Sequence, residues 1–318
     1  MKPVIIAECC QNHNGNKEIL KKMIHEAAEN GADYVKIQAI RSKELTHRPR
    51  FDEGETAADG TIRTIKRPYA PEFERLSKLD LSIDDEAWFV RECHRAGVAP
   101  MTTAFTRTGA REVSELGFEA IKVASYDCAS YPLLKELKSY WKRIFVSTGA
   151  TYDHEIAQAA EVLRDVELHI LHCITLYPTP MDELNLKRLG FLRRFTANVG
   201  YSDHTLVAET GLWASKIALA LGATCIERHY TVLEKDETRD GPVSIKPAHL
   251  KELSAFARLS RHEMMDIIKK EYPDWEITLG TATRPLSDKE LLNRDYYRGR
   301  FASLVEGNHI YNWEDVMF

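Results

Sequence analysis

The sequence predicts an α/β protein, a (β/α)8 TIM barrel with a short C-terminal tail. Three observations predict it. Short apolar runs rich in β-branched residues alternate with amphipathic stretches along the chain. Eight such runs occur in strand–helix order, and eight parallel strands close into a barrel. Polar residues recur at the C-terminal ends of the runs, the end of a barrel where active sites lie. No GxGxxG follows the first run, which weakens the alternative of an open dinucleotide-binding sheet.

The expected strands are VIIAEC (4–9), YVKIQ (34–38), APMTTA (99–104), AIKVAS (120–125), RIFVST (143–148), ELHILHC (167–173), NVGYSD (198–203) and TCIERHY (224–230). Between them the 3.6-residue period predicts helices over Lys17–Asn30, Asp84–Ala96, Arg107–Leu116, His154–Leu163 and Val207–Leu221. A final helix is expected from Pro247 to about Lys270. Several helices stop at a glycine, at Gly31, Gly97, Gly117 and Gly222, as a left-handed cap requires.

One connection, residues 41–82, is too long for a plain loop. It leaves the C-terminal face of the barrel and reads as a substrate-covering loop, with a disordered insertion as the rival reading. Its Arg48, Arg50, Arg63, Lys66 and Arg67 offer contacts to a phosphorylated or acidic sugar, but acidic residues nearly balance them, so a solvated face is the favoured reading. The expected organisation is a catalytic barrel over 1–270, then a linker and aromatic-rich tail over 271–318, too short for an independent domain.

The 318 residues are 44% hydrophobic and 29% charged, an ordinary globular composition. A net charge of −5 points to neither nucleic acid nor membrane. The apolar run at the N-terminus is too short for a signal peptide, so a cytoplasmic enzyme is expected. The six cysteines form no CxxC pair and read as reduced thiols.

The chemistry-bearing residues gather at the strand ends. Glu8 ends the first strand, Lys36 and Gln38 the second, and Thr103 the third. Lys122 and Ser125 end the fourth, Ser147 the fifth, and His172 the sixth, with Thr175 and Tyr177 just beyond. Ser202, Asp203 and His204 end the seventh, and Glu227 and His229 the eighth. Two lysines with several hydroxyls suit a small, densely anionic ligand. His204 and His229, from adjacent strands, suit a divalent metal such as Mn²⁺, Fe²⁺, Co²⁺ or Zn²⁺, with Asp203 or Glu8 completing or orienting the site. His13, in the NHNG turn, reads equally as a site residue or a turn residue. His154 and His169 read as surface or helix-boundary residues.

At this point the sequence resembles the sialic acid synthases and their pseudaminic and legionaminic acid relatives. The segments that carry the resemblance run from about Ile5 to about Leu253: IIAECCQNHNG, GADYVKIQ, IKVAS, VSTGA, LHCITLYPTP, VGYSDHT and ALGATCIERHYT among them. The resemblance implies a transferase that joins phosphoenolpyruvate to an open-chain sugar aldehyde, giving a 3-deoxy-ulosonic acid and phosphate. It places Lys36, Thr103, Lys122, Ser125, Ser147 and Ser202 on phosphoenolpyruvate and Tyr177 on the acceptor. Thr175, which replaces the family's asparagine or serine, joins the phosphoenolpyruvate candidates, and Gln38 from its strand end and Asp240 as a substitute for the missing GPD aspartate join the acceptor candidates. It makes Glu8, Asp127, His204 and His229 catalytic and gives a divalent metal, Mn²⁺ before Mg²⁺ or Co²⁺, to His204 and His229. A homo-oligomer, as a dimer, is also implied.

The sequence departs from the family in places. Asp127 stands where a glutamate is usual, and Val243 stands where the GPD aspartate would meet the sugar tail. The segment RFASLVEGNHIYNWEDV resembles only the start of an antifreeze-like domain, so the arginine that such a domain sends into a partner's site is assigned to neither Arg298 nor Arg300. Two rival readings follow. One is a barrel aldolase or lyase that forms a Schiff base on lysine; the other is a non-catalytic paralogue that binds phosphoenolpyruvate or a partner.

Overall fold

A computed structural model of the chain describes residues 2–313, so the last five residues of the expected tail lie outside the described residues. Eight parallel strands form a closed barrel: β1 (Val4–Cys10), β2 (Tyr34–Ala39), β3 (Ala99–Ala104), β4 (Ala120–Val123), β5 (Arg143–Ser147), β6 (Glu167–Cys173), β7 (Val199–Asp203) and β8 (Cys225–His229). Each strand pairs with its neighbours in the chain, and β1 closes the ring against β8.

Side-chain alternation sorts the barrel into layers. Facing inward near the strand starts are Ile6, Tyr34, Met101, Ala120, Phe145, Leu171 and Cys225, an apolar plug. Two residues further along, the inward positions turn polar on six of these strands, at Glu8, Lys36, Thr103, Lys122, Ser147 and Glu227, and on β6 the position is Cys173. The apolar layer fills the barrel while the next layer opens a site above it. Facing outward, Ile5, Val35, Ile37, Ile121, Ile144, Ile170 and Val199 join the main core beneath the helices. Gly200 is needed where β7 meets β8, because a Cβ there would sit 2.6 Å from the Cys225 carbonyl oxygen.

The helices follow from their caps and stripes. In Lys17–Glu29, Leu20, Met23, Ile24 and Ala27 are buried at the spacing of one helical face, and Asn16 accepts the Glu18 N–H at 2.9 Å. Two expected helices are broken. The one expected over Pro247–Lys270 ends at Phe256 and restarts at Arg261, where Ser260 and Glu263 form a capping box. The one expected over Val207–Leu221 is interrupted at Gly211, whose φ is 55°.

The 41–82 connection is structured. It holds a short helix at Arg50–Glu53, a hairpin of Glu55–Thr56 with Ile62–Thr64, and a helix at Tyr69–Ser77. Its base is anchored by Arg41, which donates to both oxygens of the buried Glu86 at 2.8 and 2.6 Å. The segment after residue 270 carries a helix, Asp288–Tyr297, with its own capping box, and a hairpin of Ser303–Val305 with Asn308–Ile310. The connection and the tail are laced together: Thr46 N–H donates to Arg300 O at 2.9 Å and Ala302 N–H to Glu44 O at 3.0 Å.

Candidate active site

A cavity of about 420 Å³ opens at the C-terminal end of the barrel. It is lined by Glu8, Lys36, Gln38, Thr103, Lys122, Ser125, Ser147, Tyr177, Ser202, His204, His229 and Asp240, all singled out from the sequence. Its floor is a buried charge network. Lys36 forms an ion pair with Glu8 and lies 3.2 Å from Glu227 Oε2. Lys122 lies 3.5 Å from Glu227 Oε1 and donates to Ser147 Oγ at 2.7 Å. Lys36 also donates to Thr103 Oγ1 at 3.1 Å, and Ser202 Oγ donates to Glu227 at 2.9 Å.

Two cations and two carboxylates thus share one desolvated floor. Burial pushes the Lys36 ammonium down to about 8, against the pull of Glu227. For Glu227, burial acts to raise the carboxyl, but the charges of Lys122 and Lys36 outweigh it and hold the group well below its ordinary range. Glu8 Oε1 accepts the Cys10 N–H at 2.6 Å, which fixes the carboxylate at the rim of β1.

His204 and His229 face each other with ring centroids 5.2 Å apart, and the half-exposed Tyr177 ring lies 4.2 Å from that of His204. Burial pushes His204 down to about 3, and the neighbouring His229 adds to the shift. His229 is lowered too, chiefly by burial. Both are neutral imidazoles at neutral pH, the form that binds a metal. His204 Nδ1 lies 3.3 Å from the Ile174 carbonyl, so Nδ1–H donates there and Nε2 keeps its lone pair.

Several expected site residues lie elsewhere. Asp127 does not line this cavity. It belongs to a 3-10 turn, Ser125–Asp127, with three residues per turn, so Ser125 faces the cavity and Asp127 turns away. It is buried beside Phe105, Tyr297 and Phe301, and its Oδ1 accepts from Ser130 Oγ at 3.2 Å. Thr175 is fully buried behind the loop after β5; a Cβ on Gly149 would come 2.4 Å from its methyl carbon. Cys173 occupies the cavity wall on that strand. Asp203 faces outward and pairs with Arg228 at 2.6 Å, so it neither completes nor orients the histidine site. His172 also faces outward, donating to Leu184 O at 2.6 Å. His13 is a turn residue whose Nδ1 accepts the Gly15 N–H at 3.0 Å. His169, expected near the surface, stacks on Phe145 inside the barrel with centroids 4.2 Å apart.

Other residues lining the cavity were not singled out as site residues. Glu227 was legible as a strand-end residue two positions before His229, but had no assigned role. Arg67, Arg75, Arg239 and Arg300 form a cationic rim, contributed by the long connection, the loop after β8 and the tail. Glu72 takes Arg75 in a bidentate pair at 2.9 and 3.0 Å, pairs with Arg300, and lies 3.4 Å from Arg239. One carboxylate therefore faces three guanidinium groups, and positive charge remains in excess. Arg298 instead stacks over Trp313 at 3.6 Å.

Burial raises the Asp127 carboxyl to about 7. A folded-state value above the unfolded one means that stability is lost as pH rises towards 7 and the buried group ionises. Asp127→Asn keeps an acceptor for Ser130 and cannot ionise. It is expected to leave kcat within about threefold, the scale of a substitution that touches no reacting group. It should also melt at a higher temperature than the parent above about pH 7. A large loss of kcat would return Asp127 to the chemistry.

Comparisons with known proteins agree with this architecture. The model of a family described as the NeuB family matches residues 23–269. The chain is 31% identical to the N,N'-diacetyllegionaminic acid synthase of Campylobacter jejuni, over 96% of this chain and 89% of that protein. It is 29% identical to the N-acetylneuraminate-9-phosphate synthase of Drosophila melanogaster, over 86% of this chain and 73% of that protein. The crystal structure of an N-acetylneuraminic acid synthetase from Leptospira borgpetersenii shares the fold, with a TM-score of 0.70 at 24% identity over 93% of this chain and 91% of that one. Among the described residues, no helix is long and apolar enough to cross a membrane.

Proposed function

This chain belongs to the NeuB family, and from that premise we propose that it is a transferase joining phosphoenolpyruvate to the open-chain form of a sugar aldehyde, with release of phosphate. The observation that carries the reading is the cavity floor, where two buried lysines and four hydroxyl-bearing residues (Thr103, Ser125, Ser147 and Ser202) converge. Such a set binds a ligand that carries both a phosphate and a carboxylate. The Campylobacter and Drosophila relatives are named as synthases of N,N'-diacetyllegionaminic acid and of N-acetylneuraminate 9-phosphate, which supports the same reaction class.

In this reading Lys36, Lys122 and the hydroxyls hold the enol phosphate and fix its methylene carbon towards the acceptor carbonyl. The methylene carbon forms the new bond to the aldehyde carbon, and positive character develops at the enol carbon. Water adds there and gives a proton to Glu8, which lies beside Lys36 in register near the end of β1. The new hydroxyl loses its proton as the tetrahedral centre expels phosphate, which carries that proton away while the two lysines hold its charge, and the alkoxide formed from the aldehyde oxygen takes the proton held by Glu8. A divalent metal held by His204 and His229 would supply Lewis acidity towards the aldehyde oxygen. Both imidazoles are neutral and one is oriented through a backbone carbonyl, so the residues fit such an ion.

The cationic rim supports an acceptor that carries an anionic group, a phosphate or a carboxylate. Arg300 comes from the chain's own tail and takes a place on the rim with Arg67, Arg75 and Arg239. Arg75→Gln is expected to raise KM for a phosphorylated aldose by about tenfold, the loss of one charge-assisted contact, with KM for phosphoenolpyruvate little changed. An aldose panel in which neutral sugars matched their phosphate esters would refute the anionic acceptor.

The reaction itself is tested by phosphate release and product mass spectrometry. Release should require phosphoenolpyruvate, an aldose and a divalent metal together, and should cease on chelation. Borohydride trapping of a pyruvate adduct would instead favour a Schiff-base lyase. The absence of phosphate release with every aldose would leave a binding protein.

A further inference from the structure

The mouth of the barrel holds two further metal donors beside His229. Cys10, His229 and Asp240 offer one ligand atom each, and those three atoms all lie within 4.8 Å of one another. Cys10 Sγ donates to Asp240 Oδ2 at 3.0 Å, and His229 Nδ1 is 3.8 Å from the same oxygen. His229 Nδ1 is buried and has no hydrogen-bond partner among the described residues.

The backbone is shaped to aim the thiol. β1 pairs in register with β2 up to Glu8, then slips by one residue so that Cys10, not Cys9, faces Ile37. At this bulge Cys10 takes a φ of 47°, a conformation that costs a side-chain-bearing residue about 1–3 kcal/mol and that glycine adopts freely. Alternation from Ile6 and Glu8 places Cys9 in the core and Cys10 on the cavity side, and the bulge with its positive φ sets where the Cys10 thiol sits there.

We propose that Cys10 and Asp240 join His204 and His229 as ligands of one divalent metal. The inference rests on the metal assigned to the two histidines above and names the rest of its coordination. Charge favours it. The floor cations Lys36 and Lys122 are already matched by Glu8 and Glu227. A dication on two neutral imidazoles alone would place two uncompensated charges in this buried region. A thiolate and a carboxylate bring the site to neutrality, which lowers its desolvation cost. On binding, the Cys10 thiol gives its proton to water, and its bond to Asp240 is replaced by two bonds to the ion. A sulfur, nitrogen and oxygen donor set prefers Fe²⁺, Co²⁺ or Zn²⁺ to Mn²⁺ or Mg²⁺.

Cobalt reports the thiolate directly. The full chain, stripped of metal and titrated with Co²⁺, should develop visible ligand-field bands together with a sulfur-to-cobalt charge-transfer band in the near ultraviolet. Cys10→Ser should abolish the near-ultraviolet band, keep the visible bands and weaken Co²⁺ binding about tenfold or more, the scale on which loss of a metal-site partner acts. Cys10→Gly should behave alike while relieving the strained φ, so loss of the band there cannot be blamed on misfolding. Asp240→Asn should weaken binding with the band retained, and Cys173→Ser should change neither. Co²⁺ bound without the band in the parent protein, or a band undiminished in both Cys10 variants, would overturn the thiolate ligand while leaving the histidine site standing. No Co²⁺ binding at all would overturn both.

Discussion

Lys36→Met is expected to lower kcat/KM for phosphoenolpyruvate by about a thousandfold or more, the range seen when a buried charge loses its partner or an anion loses a positioned donor. Lys36 is nearly fully buried and meets Glu8, Glu227 and Thr103 at once. Methionine fills the same space but leaves two carboxylates facing each other without the intervening cation. The anionic substrate would then enter a floor with one positive charge in place of two. Steady-state kinetics in phosphoenolpyruvate, with circular dichroism to establish that the barrel persists, check this. The partner variant Glu227→Gln should cost less in the Lys36→Met background than in the parent, because it removes one of the stranded charges. A folded Lys36→Met protein within tenfold of the parent would remove the floor from the binding of phosphoenolpyruvate.

The largest effect on stability is expected from Arg228→Met. Arg228 and Asp203 are fully buried on the outer face of β8 and β7, with nitrogen and oxygen 2.6 Å apart. Arg228 also donates to Thr205 Oγ1 at 3.0 Å and to the carbonyls of Thr205 and Val243 at 3.2 Å. It ties β7 to the loop after β8, which carries the wall of the cavity. For Asp203, burial acts to raise the carboxyl, but Arg228, Ser215 and Thr205 outweigh it and hold the group below its ordinary value. Removing Arg228 strands that charge, at a cost of about 3–5 kcal/mol and a melting point lower by roughly 5–10 °C. The double variant Asp203→Leu, Arg228→Met should recover part of the loss, since a buried pair is often replaceable by apolar side chains. Calorimetry on the parent, the single and the double variants measures the coupling. Parent-like melting of the single variant would show that the pair carries no stability.

The same outward pair illustrates why a strand-end polar residue is not by itself a site residue. Asp203 and His172 sit at strand ends, as Ser202 and Lys122 do, yet alternate positions point to opposite faces of the barrel wall. Counting in twos from the apolar plug separates them. Ile6 leads to Glu8, Tyr34 to Lys36, Met101 to Thr103, Ala120 to Lys122, Phe145 to Ser147, and Cys225 to Glu227 and His229. By the same count Glu227 belonged with His229 from the outset, and Asp203 did not belong with Ser202.

Beyond the last strand residue the count stops working. Asp127 is two residues after Ser125, yet a 3-10 turn rather than a strand carries the chain there, so the two side chains part. Thr175 follows Cys173 by two, but β6 has already ended and its side chain packs behind Gly149. The long connection reads as a solvated face because its charges nearly cancel in sequence. In the fold they separate: Glu72 gathers three arginines around the cavity, while Arg63 pairs with Glu55 and Lys66 with Glu53 at the exposed hairpin.

The amino-acid sequence alone determined the barrel, its eight strands and the chemistry of its floor, because a period of two residues writes inward and outward faces directly into the chain. Only the tertiary structure decided the rim. Arg300 meets Glu72 across 228 residues, and Cys10 meets Asp240 across 230. No local period spans such distances. These pairs form because loop conformation, a bulge after Glu8 and the docking of the tail on the barrel mouth bring them together.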